Sequence, residues 1–311
     1  MSPRYKPLIV LFVVFLVITP LHAYQNTKGS EDDLVMMSVV VTTRTGLAKG
    51  LKRESFAITD EKVPRAVEFF DDTDTPVSIG ILVDNSGSMQ ASLLGGTSKQ
   101  MVLGEELKQL LANGHPDNEY FLISFNKTPK LLADLCSGPE MMDRRFDIEE
   151  PRHYTVLYDT VILALEKLKG RQRPRRALVL LSDGQDNLSR RTFKEVREAL
   201  RDTDLTLYAV GIMGASDVGS SLGMEGQAIL DELRETNGGA AFYPRNRKEL
   251  RAVFSTIANE LRHHYRLGFR PDKNNAPNKW HRLKVNVTPS PNAPAEFKKL
   301  TVRARQGYYT H

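Results

Sequence analysis

The sequence predicts an α/β protein with a doubly wound, mostly parallel sheet that has helices on both faces. Three observations support this fold class. Short apolar runs rich in strand-forming residues recur through the middle of the chain, stretches with helical spacing separate them, and polar loops mark each change of period. Strands that are apolar along their whole length suit a parallel sheet, and alternation of strand and helix is typical of a doubly wound domain.

Four apolar runs predict the central strands, at residues 77–84, 120–125, 177–183 and 205–212. Apolar residues at helical spacing predict the helices between them. These stripes are Leu103, Leu107, Leu110 and Leu111; Leu157, Val161, Leu165 and Leu168; Phe193, Val196 and Leu200; and Leu250, Val253, Phe254, Ile257 and Leu261. Thr192 and Glu195 have the spacing of a capping box, which predicts a helix start there.

The two ends of the chain read as β structure without helices. Strand-like segments with partial alternation lie at residues 35–43, 65–70, 265–270, 281–288 and 297–305. Because an isolated pair of strands is marginal in water, we expect both flanks to pair into one small β module in which the α/β domain is inserted. The alternative is two separate β appendages packed on the α/β domain.

The predicted domain organisation has four parts. A signal peptide (1–23) precedes an N-terminal β flank (24–74), the α/β domain (75–262) and a C-terminal β flank (263–311). The signal prediction rests on a basic start, a short apolar run and small residues before residue 24. The run is shorter than the roughly 20 residues that a spanning helix needs. We therefore expect an exported protein that is periplasmic, on the cell surface or secreted, with membrane contact only if this segment stays uncleaved.

Charge and cysteine content exclude several classes of protein. The formal net charge of +5 falls to +3 when the predicted signal takes Arg4 and Lys6 with it. This mild value, together with export, argues against a nucleic-acid partner. Cys136 is the only cysteine, so an oxidising compartment brings no disulfide within the chain. Folding stability must therefore come from packing.

The stretch "ILVDNSGSMQ" carries the strongest chemical signal. An apolar strand ends at Asp84, and Ser86 and Ser88 follow at alternate positions around Gly87. A second predicted strand ends at Asp183. In open α/β sheets ligands bind beyond the carboxyl ends of strands, and oxygen ligands alone suit a hard divalent cation. Helix capping by one of these residues is the alternative at this point of the argument.

These residues resemble the D-x-S-x-S motif of von Willebrand factor type A domains, in which a metal-ion-dependent adhesion site is built from three loops. "YTVLYD" is similar to the family's threonine loop and places the threonine at Thr155, and "LLSDGQDN" is similar to its third loop, with Asp183 as the acid. The flanks resemble a related family of exported bacterial proteins. One departure is that His153 and Tyr154 stand where that family commonly has two glycines.

The resemblance implies a function. Asp84 would anchor a divalent cation, Mg²⁺ or else Mn²⁺ or Ca²⁺, with Ser86 and Ser88 as direct ligands and Thr155 and Asp183 binding directly or through water. The open coordination position would accept an Asp or Glu from a protein partner. The expected function is thus an exported, metal-dependent protein-binding module.

Two other functions compete with this one. The protein could be an envelope scaffold in which the metal only stabilises the loops. A hydrolase is the remote alternative, and we expect no enzyme activity, because the sequence contains no H-E-x-x-H or phosphate-loop motif.

Overall fold

A computed structural model of the protein describes residues 33–87, 92–93, 97–143, 154–169, 173, 175–214, 219–272 and 276–310. For residues 92–93, 97–103 and 143 only the backbone is described. The predicted signal peptide, Ser88 and His153 lie outside these ranges. Contacts divide the chain after Asp33, and the elements below belong to the second unit, Leu34–His311. Within the described ranges, none of the helices combines the length and the apolar character needed to cross a bilayer.

The strands, in chain order, are β1 (Val35–Thr42), β2 (Phe56–Asp60), β3 (Val63–Arg65), β4 (Phe69–Asp71), β5 (Ser78–Asp84), β6 (Ser92–Leu93), β7 (Thr97–Ser98), β8 (Glu119–Phe125), β9 (Pro129–Cys136), β10 (Arg176–Ser182), β11 (Thr206–Gly211), β12 (Ala240–Phe242), β13 (Tyr265–Phe269), β14 (Trp280–Val287), β15 (Thr301–Ala304) and β16 (Gly307–Tyr309). The α-helices are α1 (Lys99–Asn113), α2 (Gly138–Asp143), α3 (Leu157–Leu168), α4 (Phe193–Arg201), α5 (Ser221–Thr236) and α6 (Arg247–His263).

The central sheet confirms the predicted fold class. Its six strands follow the order β12-β11-β10-β5-β8-β9. All neighbouring pairs are parallel except β8 and β9, so an antiparallel strand closes one edge. Each of the four predicted central strands is present. They are buried on both faces, which explains why their sequences are apolar throughout.

Helices cover both faces of this sheet. On one face, alternate residues of β5 and β10 pack with the apolar stripes of α1 and α6, and on the other the remaining residues pack with α3, α4 and α5. The predicted capping box at α4 is confirmed: the Glu195 N–H donates to Thr192 Oγ1 at 3.3 Å, and the Thr192 N–H donates to Glu195 Oε2 at 2.8 Å. The helical stripes of the sequence therefore mark the buried faces of these helices.

Strands from both ends of the chain pair with one another. One antiparallel sheet has the order β15-β1-β13-β4, and a second has the order β16-β14-β2-β3. The two sheets enclose a separate apolar core, whose members include Val39 of β1, Ile58 of β2, Leu267 of β13 and Val285 of β14. We call these eight strands the β sandwich. The domain boundaries proposed at residues 75 and 262 stay a prediction.

The strands of the sandwich differ from the sequence prediction in two places. The segment 65–70 is not one strand, because β3 pairs with β2 in one sheet and β4 pairs with β13 in the other, so the chain crosses between the sheets at residues 66–68. The segment 297–305 begins with the 3₁₀ helix Ala295–Lys298, which buries Phe297, before β15 starts. In both places tertiary pairing overrides local strand preference.

The order of the central strands fixes where a ligand can bind. From β5 the chain moves to β8 and β9 on one side, and then returns to β10, β11 and β12 on the other. The winding direction therefore reverses between β5 and β10, and in such sheets the crevice beyond the carboxyl ends of the two strands is the usual ligand site. We call the edge at which β5 and β10 end the carboxyl edge, and the edge at which they begin the amino edge.

Candidate metal site

Asp84 lies at the carboxyl edge and is fully buried. It is the last residue of β5 and has 0% relative exposure. Its Oδ1 accepts the N–H of Ser86 at 2.8 Å, and its Oδ2 accepts the hydroxyl of Ser182 at 2.6 Å. The side chain is therefore held between the turn after β5 and the last residue of β10.

Asp183 follows β10 and faces the same crevice. Its Oδ1 accepts the N–H of Gln185 at 3.0 Å, whereas its Oδ2 is buried and has no hydrogen-bond partner among the described residues. Ser182 stabilises the turn between them by accepting the N–H of Gly184 at 3.0 Å while it donates to Asp84. A buried carboxylate oxygen without a partner is costly, which makes this a place where a further positive group would stabilise the protein.

The two carboxylates affect each other. Burial, followed by the negative charge of Asp183, raises the pKa of Asp84 to about 7, although hydrogen bonds from Ser182 and Ser86 oppose the shift. Two buried acids at one point disfavour double ionisation, because each desolvated charge repels the other. A divalent cation would remove both penalties at once.

Thr155 is joined to the loop that carries Asp183. The Thr155 N–H donates to Asn187 Oδ1 at 2.9 Å, and the N–H groups of Asn187 and Leu188 both donate to the Thr155 carbonyl at 3.1 Å. The Thr155 side chain is buried. These main-chain bonds hold the predicted threonine loop and the predicted third loop together at the carboxyl edge.

The start of α3 is capped by side chains of the same loop. Asp186 Oδ2 accepts the N–H of Tyr158 at 3.0 Å, and Ser189 Oγ accepts the N–H of Asp159 at 3.1 Å. Asp159 in turn accepts the N–H groups of Arg190 at 3.1 Å and Arg191 at 2.9 Å. These positioning residues were not predicted from the sequence, although the D-x-x-S spacing of Asp186 and Ser189 is a pattern of local side-chain capping.

Helix α5 packs directly against the Asp183 loop through two glycines. A Cβ on Gly184, whose φ is 84°, would lie 2.2 Å from the Gly226 carbonyl oxygen, and a Cβ on Gly226 would lie 2.1 Å from the Asp183 carbonyl oxygen. Neither position tolerates a side chain without a backbone shift. The first turns of α5 therefore lie at the carboxyl edge, beside the site.

Tyr154 and Asn126 complete the described surroundings of Thr155. The Asn126 carbonyl accepts the N–H of Val156 at 3.0 Å, which ties the end of β8 to the threonine loop. Tyr154 is 48% exposed, and its ring centroid lies 6.0 Å from Lys127 Nζ. The Tyr154 side chain, which stands where the resembled family commonly has a glycine, is therefore turned toward solvent and Lys127.

The structure thus brings four of the five predicted site residues to one edge. Asp84 and Ser86 share a turn, Asp183 faces Asp84, and Thr155 is bonded to the Asp183 loop. Ser88 lies outside the described residues. Within the described part of the chain no group of three or more His, Cys, Asp or Glu side chains is arranged to hold a metal ion. The oxygen donors at this edge are therefore two carboxylates and the neighbouring hydroxyls. Oxygen donors of this kind fit Mg²⁺, Mn²⁺ or Ca²⁺ and suit Zn²⁺ poorly.

Comparison with solved structures gives matches of low sequence identity. The PilB minor pilin from Streptococcus sanguinis aligns at 14% identity over 62% of this chain and 62% of the pilin chain, with a TM-score of 0.51. A von Willebrand factor type A protein from Catenulispora acidiphila aligns at 12% identity over 88% of this chain and 74% of that one, with a TM-score of 0.46. The chain therefore spans less than two thirds of the pilin, and that match concerns the fold alone.

Sequence comparison identifies the segment around the site. No curated protein shows significant similarity to the sequence. Residues 79–185 match the family model of the von Willebrand factor type A domain, and the match includes all five predicted site positions. With the sheet order described above, this match agrees with the resemblance found in the sequence. The chain contains a von Willebrand factor type A domain.

Proposed function

We propose that this protein is an exported, divalent-cation-dependent protein-binding module that docks an acidic group of its partner at the carboxyl edge. One observation carries the proposal: two buried carboxylates meet where the sheet winding reverses, and Asp183 Oδ2 has no partner there among the described residues. Such an arrangement is costly by itself and becomes favourable when a cation binds.

The chain offers a defined set of ligands for the cation. Asp84 and Asp183 would supply the negative charge. The Ser86, Ser88 and Thr155 hydroxyls would coordinate the cation without neutralising its positive charge. Bound Mg²⁺, Mn²⁺ or Ca²⁺ would supply a positive charge that attracts a carboxylate. The partner's Asp or Glu would satisfy this charge, as charge-assisted contacts favour ionised groups.

Export and an adhesive role are part of the same proposal. The basic and apolar start of the sequence supports secretion, and we infer a periplasmic, cell-surface or secreted location without nucleic-acid partners. One of the solved structures with a similar fold is a minor pilin, which is in keeping with a role on a cell surface. We further propose that the protein has no catalytic activity.

An envelope scaffold, in which the metal only stabilises the loops, is the competing function. The start of α3 is already braced by Asp186 and Ser189, and the Thr155 and Asp183 loops are already bonded to each other. Since these bonds involve no metal, they favour a binding role for the cation over a purely structural one.

The test is affinity capture from an envelope extract, in Mg²⁺ or in chelator. Wild type should retain a partner only with Mg²⁺, and Asp84→Ala should retain none. Asp72→Ala, which changes an exposed carboxylate before the start of β5 and so away from the carboxyl edge, is the matched control and should behave as wild type. Circular dichroism confirms that each variant is folded. A partner retained equally in chelator, or by a folded Asp84→Ala variant, would favour the scaffold.

A further inference from the structure

Exposed apolar side chains are concentrated at the carboxyl edge. Seven large apolar residues are exposed among the described residues: Val63, Leu131, Tyr154, Leu163, Leu188, Leu222 and Met224. Single exposed apolar residues are ordinary, whereas several at one place mark an interaction surface. We call Tyr154, Leu188 and Leu222 the apolar rim, and the following contacts place all three beside the candidate metal site.

Tyr154 and Leu188 lie together through Thr155. The Leu188 N–H donates to the Thr155 carbonyl at 3.1 Å, and Tyr154 is the residue before Thr155. Tyr154 is 48% exposed and Leu188 is 40% exposed. Both side chains therefore present apolar surface next to a predicted metal ligand.

Leu222 reaches the same edge from α5. It lies in the first turn of this helix, and Gly226, which packs on the Asp183 carbonyl, follows four residues later on the same face, about one turn of about 5.4 Å away. Met224 lies on the opposite face of the helix. Leu222 is 58% exposed and Met224 is 60% exposed, the highest values among these seven residues. The helix buries Gly223, Gly226 and Leu230 instead, so neither side chain is needed for its packing.

The charges at this edge select the partner. Lys127 lies 6.0 Å from the Tyr154 ring, and Arg190 is an exposed cation two residues beyond Leu188. The carboxylates of Asp186 and Asp159 accept N–H groups of the neighbouring loop and helix. Glu225 is a third acid in this region, near Tyr158. With a cation bound, its charge would balance the carboxylates of Asp84 and Asp183, and its open coordination position would be the place for a partner's acid. Lys127 and Arg190 would add positive charge beside an apolar border.

We infer that the apolar rim binds the residues on either side of the partner's acidic group, so that the partner is a protein segment in which one Asp or Glu is flanked by large apolar side chains. This inference rests on the proposed function and adds to it the kind of sequence that the site selects. A polar segment with an exposed acid would reach the cation but leave the apolar rim in water, and buried apolar contacts of this kind commonly dominate binding energy.

The experiment compares two fluorescent peptides that each contain one Glu. In one peptide Leu and Phe flank the Glu, and in the other Ser residues do. Fluorescence polarisation is measured with Mg²⁺ and with chelator, and a Glu→Gln version of the apolar peptide tests whether the acid is required. We expect the apolar peptide to bind wild type about tenfold more tightly than the serine peptide, and only with Mg²⁺.

Variants of the protein test the rim itself. Leu222→Gln keeps a helix-forming side chain of similar length, and should weaken the apolar peptide about tenfold while the serine peptide is unchanged. Val63→Thr, which alters a 50% exposed residue of the β sandwich, is the matched control and should have no effect. Calorimetry with Mn²⁺ should give the same metal affinity for all these variants.

The outcomes separate the two proposals. If Mn²⁺ does not bind wild type, the proposed function is wrong and the inference falls with it. If Mn²⁺ binds but the two peptides have equal affinity, or neither binds, or Leu222→Gln binds the apolar peptide as wild type does, the inference alone is overturned. Binding of the apolar peptide that persists in chelator also contradicts it, because the acid would then not be held by the metal.

Discussion

The two ends of β10 handle buried charge in opposite ways. Arg175 immediately precedes this seven-residue strand and Asp183 immediately follows it, so they lie roughly 25 Å apart at opposite edges of one sheet. Arg175 is 1% exposed, and its Nη2 donates to Asp71 Oδ2 of β4 at 2.9 Å. Asp183 is also buried, yet the charged group with which it interacts there is another carboxylate, Asp84.

The β sandwich explains the difference. It supplies Asp71 to Arg175, and Arg303 of β15 donates to Glu260 Oε1 of α6 at 2.5 Å. Arg305, just after β15, donates to the carbonyl of Arg201 in α4 at 3.1 Å. The amino edge thus finds opposite charges and acceptors within the chain. For the described residues at the carboxyl edge no such neutralisation is seen.

The comparison teaches that a buried charge marks a binding site only where the protein does not supply its partner. Buried ion pairs of the amino-edge kind are common and serve folding or specificity. Two like charges at the switch point of the sheet, in contrast, remain costly until a ligand arrives. The predictions below test each side of this comparison.

The largest effect is expected at the amino edge. Asp71→Ala would leave Arg175 buried without its carboxylate, and removal of one partner of a buried pair costs about 3 kcal/mol or more of unfolding free energy. Urea denaturation measures this loss. Asp72→Ala, at the exposed neighbouring position, should change stability by less than about 0.5 kcal/mol. A similarly small loss in both variants would mean that this ion pair does not stabilise the amino edge.

At the carboxyl edge the second-largest effect should come from the metal. Mg²⁺ at about 100 times its Kd should raise the unfolding free energy by about 2.7 kcal/mol, because a ligand that binds only the folded state stabilises it. Thermal denaturation with and without Mg²⁺ checks this, and calorimetry gives the Kd. The gain should disappear in Asp84→Ala. If neither Mg²⁺ nor Mn²⁺ shifts the melting of wild type, the two edges do not differ as described.

Acid should weaken the amino edge through His264. Burial, with the charge of Arg175 and a smaller effect of Arg266, lowers the pKa of His264 to about 3 from 6.5, while the Glu260 backbone and Asp71 oppose the shift. Below pH 6.5 the unfolded chain therefore binds a proton that the folded chain does not. This group therefore costs no stability well above pH 6.5. At pH 5 it should lower the unfolding free energy by about 2 kcal/mol.

The measurement for His264 is the change in unfolding free energy between pH 7 and pH 5, in wild type and in His264→Phe. Other groups, including Asp84, titrate in both proteins and cancel in the difference. The phenylalanine variant should lose less stability on acidification than wild type does. Equal losses would show that His264 is not the group that makes the amino edge sensitive to acid.

The smallest effect on folding is expected from Thr155→Ala. The bonds that join Thr155 to Asn187 and Leu188 use its main chain, so they survive the change, and we expect a loss of at most about 1 kcal/mol. Metal-dependent capture of the partner should nevertheless fall, by about tenfold, if the hydroxyl helps to hold the cation. Unchanged capture would remove Thr155 from the site, and a large loss of stability would assign it a folding role instead.

Much of the α/β layer could be predicted from the sequence because its signals are local. The central strands are apolar throughout, the helices carry stripes, and Thr192 and Glu195 form the expected capping box. Strand boundaries in the β sandwich were less predictable. Residues 65–70 have strand preference along their length, yet the chain divides them between two sheets. Positioning residues such as Ser182 and Asp186 were also missed, since their partners are distant in sequence.

The sequence by itself determined the alternation of strand and helix and the oxygen-rich turns that end two of the strands. Only the tertiary structure decided that the ends of β5 and β10 are neighbours and that Asp71 pairs with Arg175 at the other end of β10. It also decided that the apolar rim lies beside Asp183. The physical reason is range. Periodicity and turn chemistry act between residues a few positions apart, whereas strand order, and with it the partner of each buried charge, depends on long-range packing.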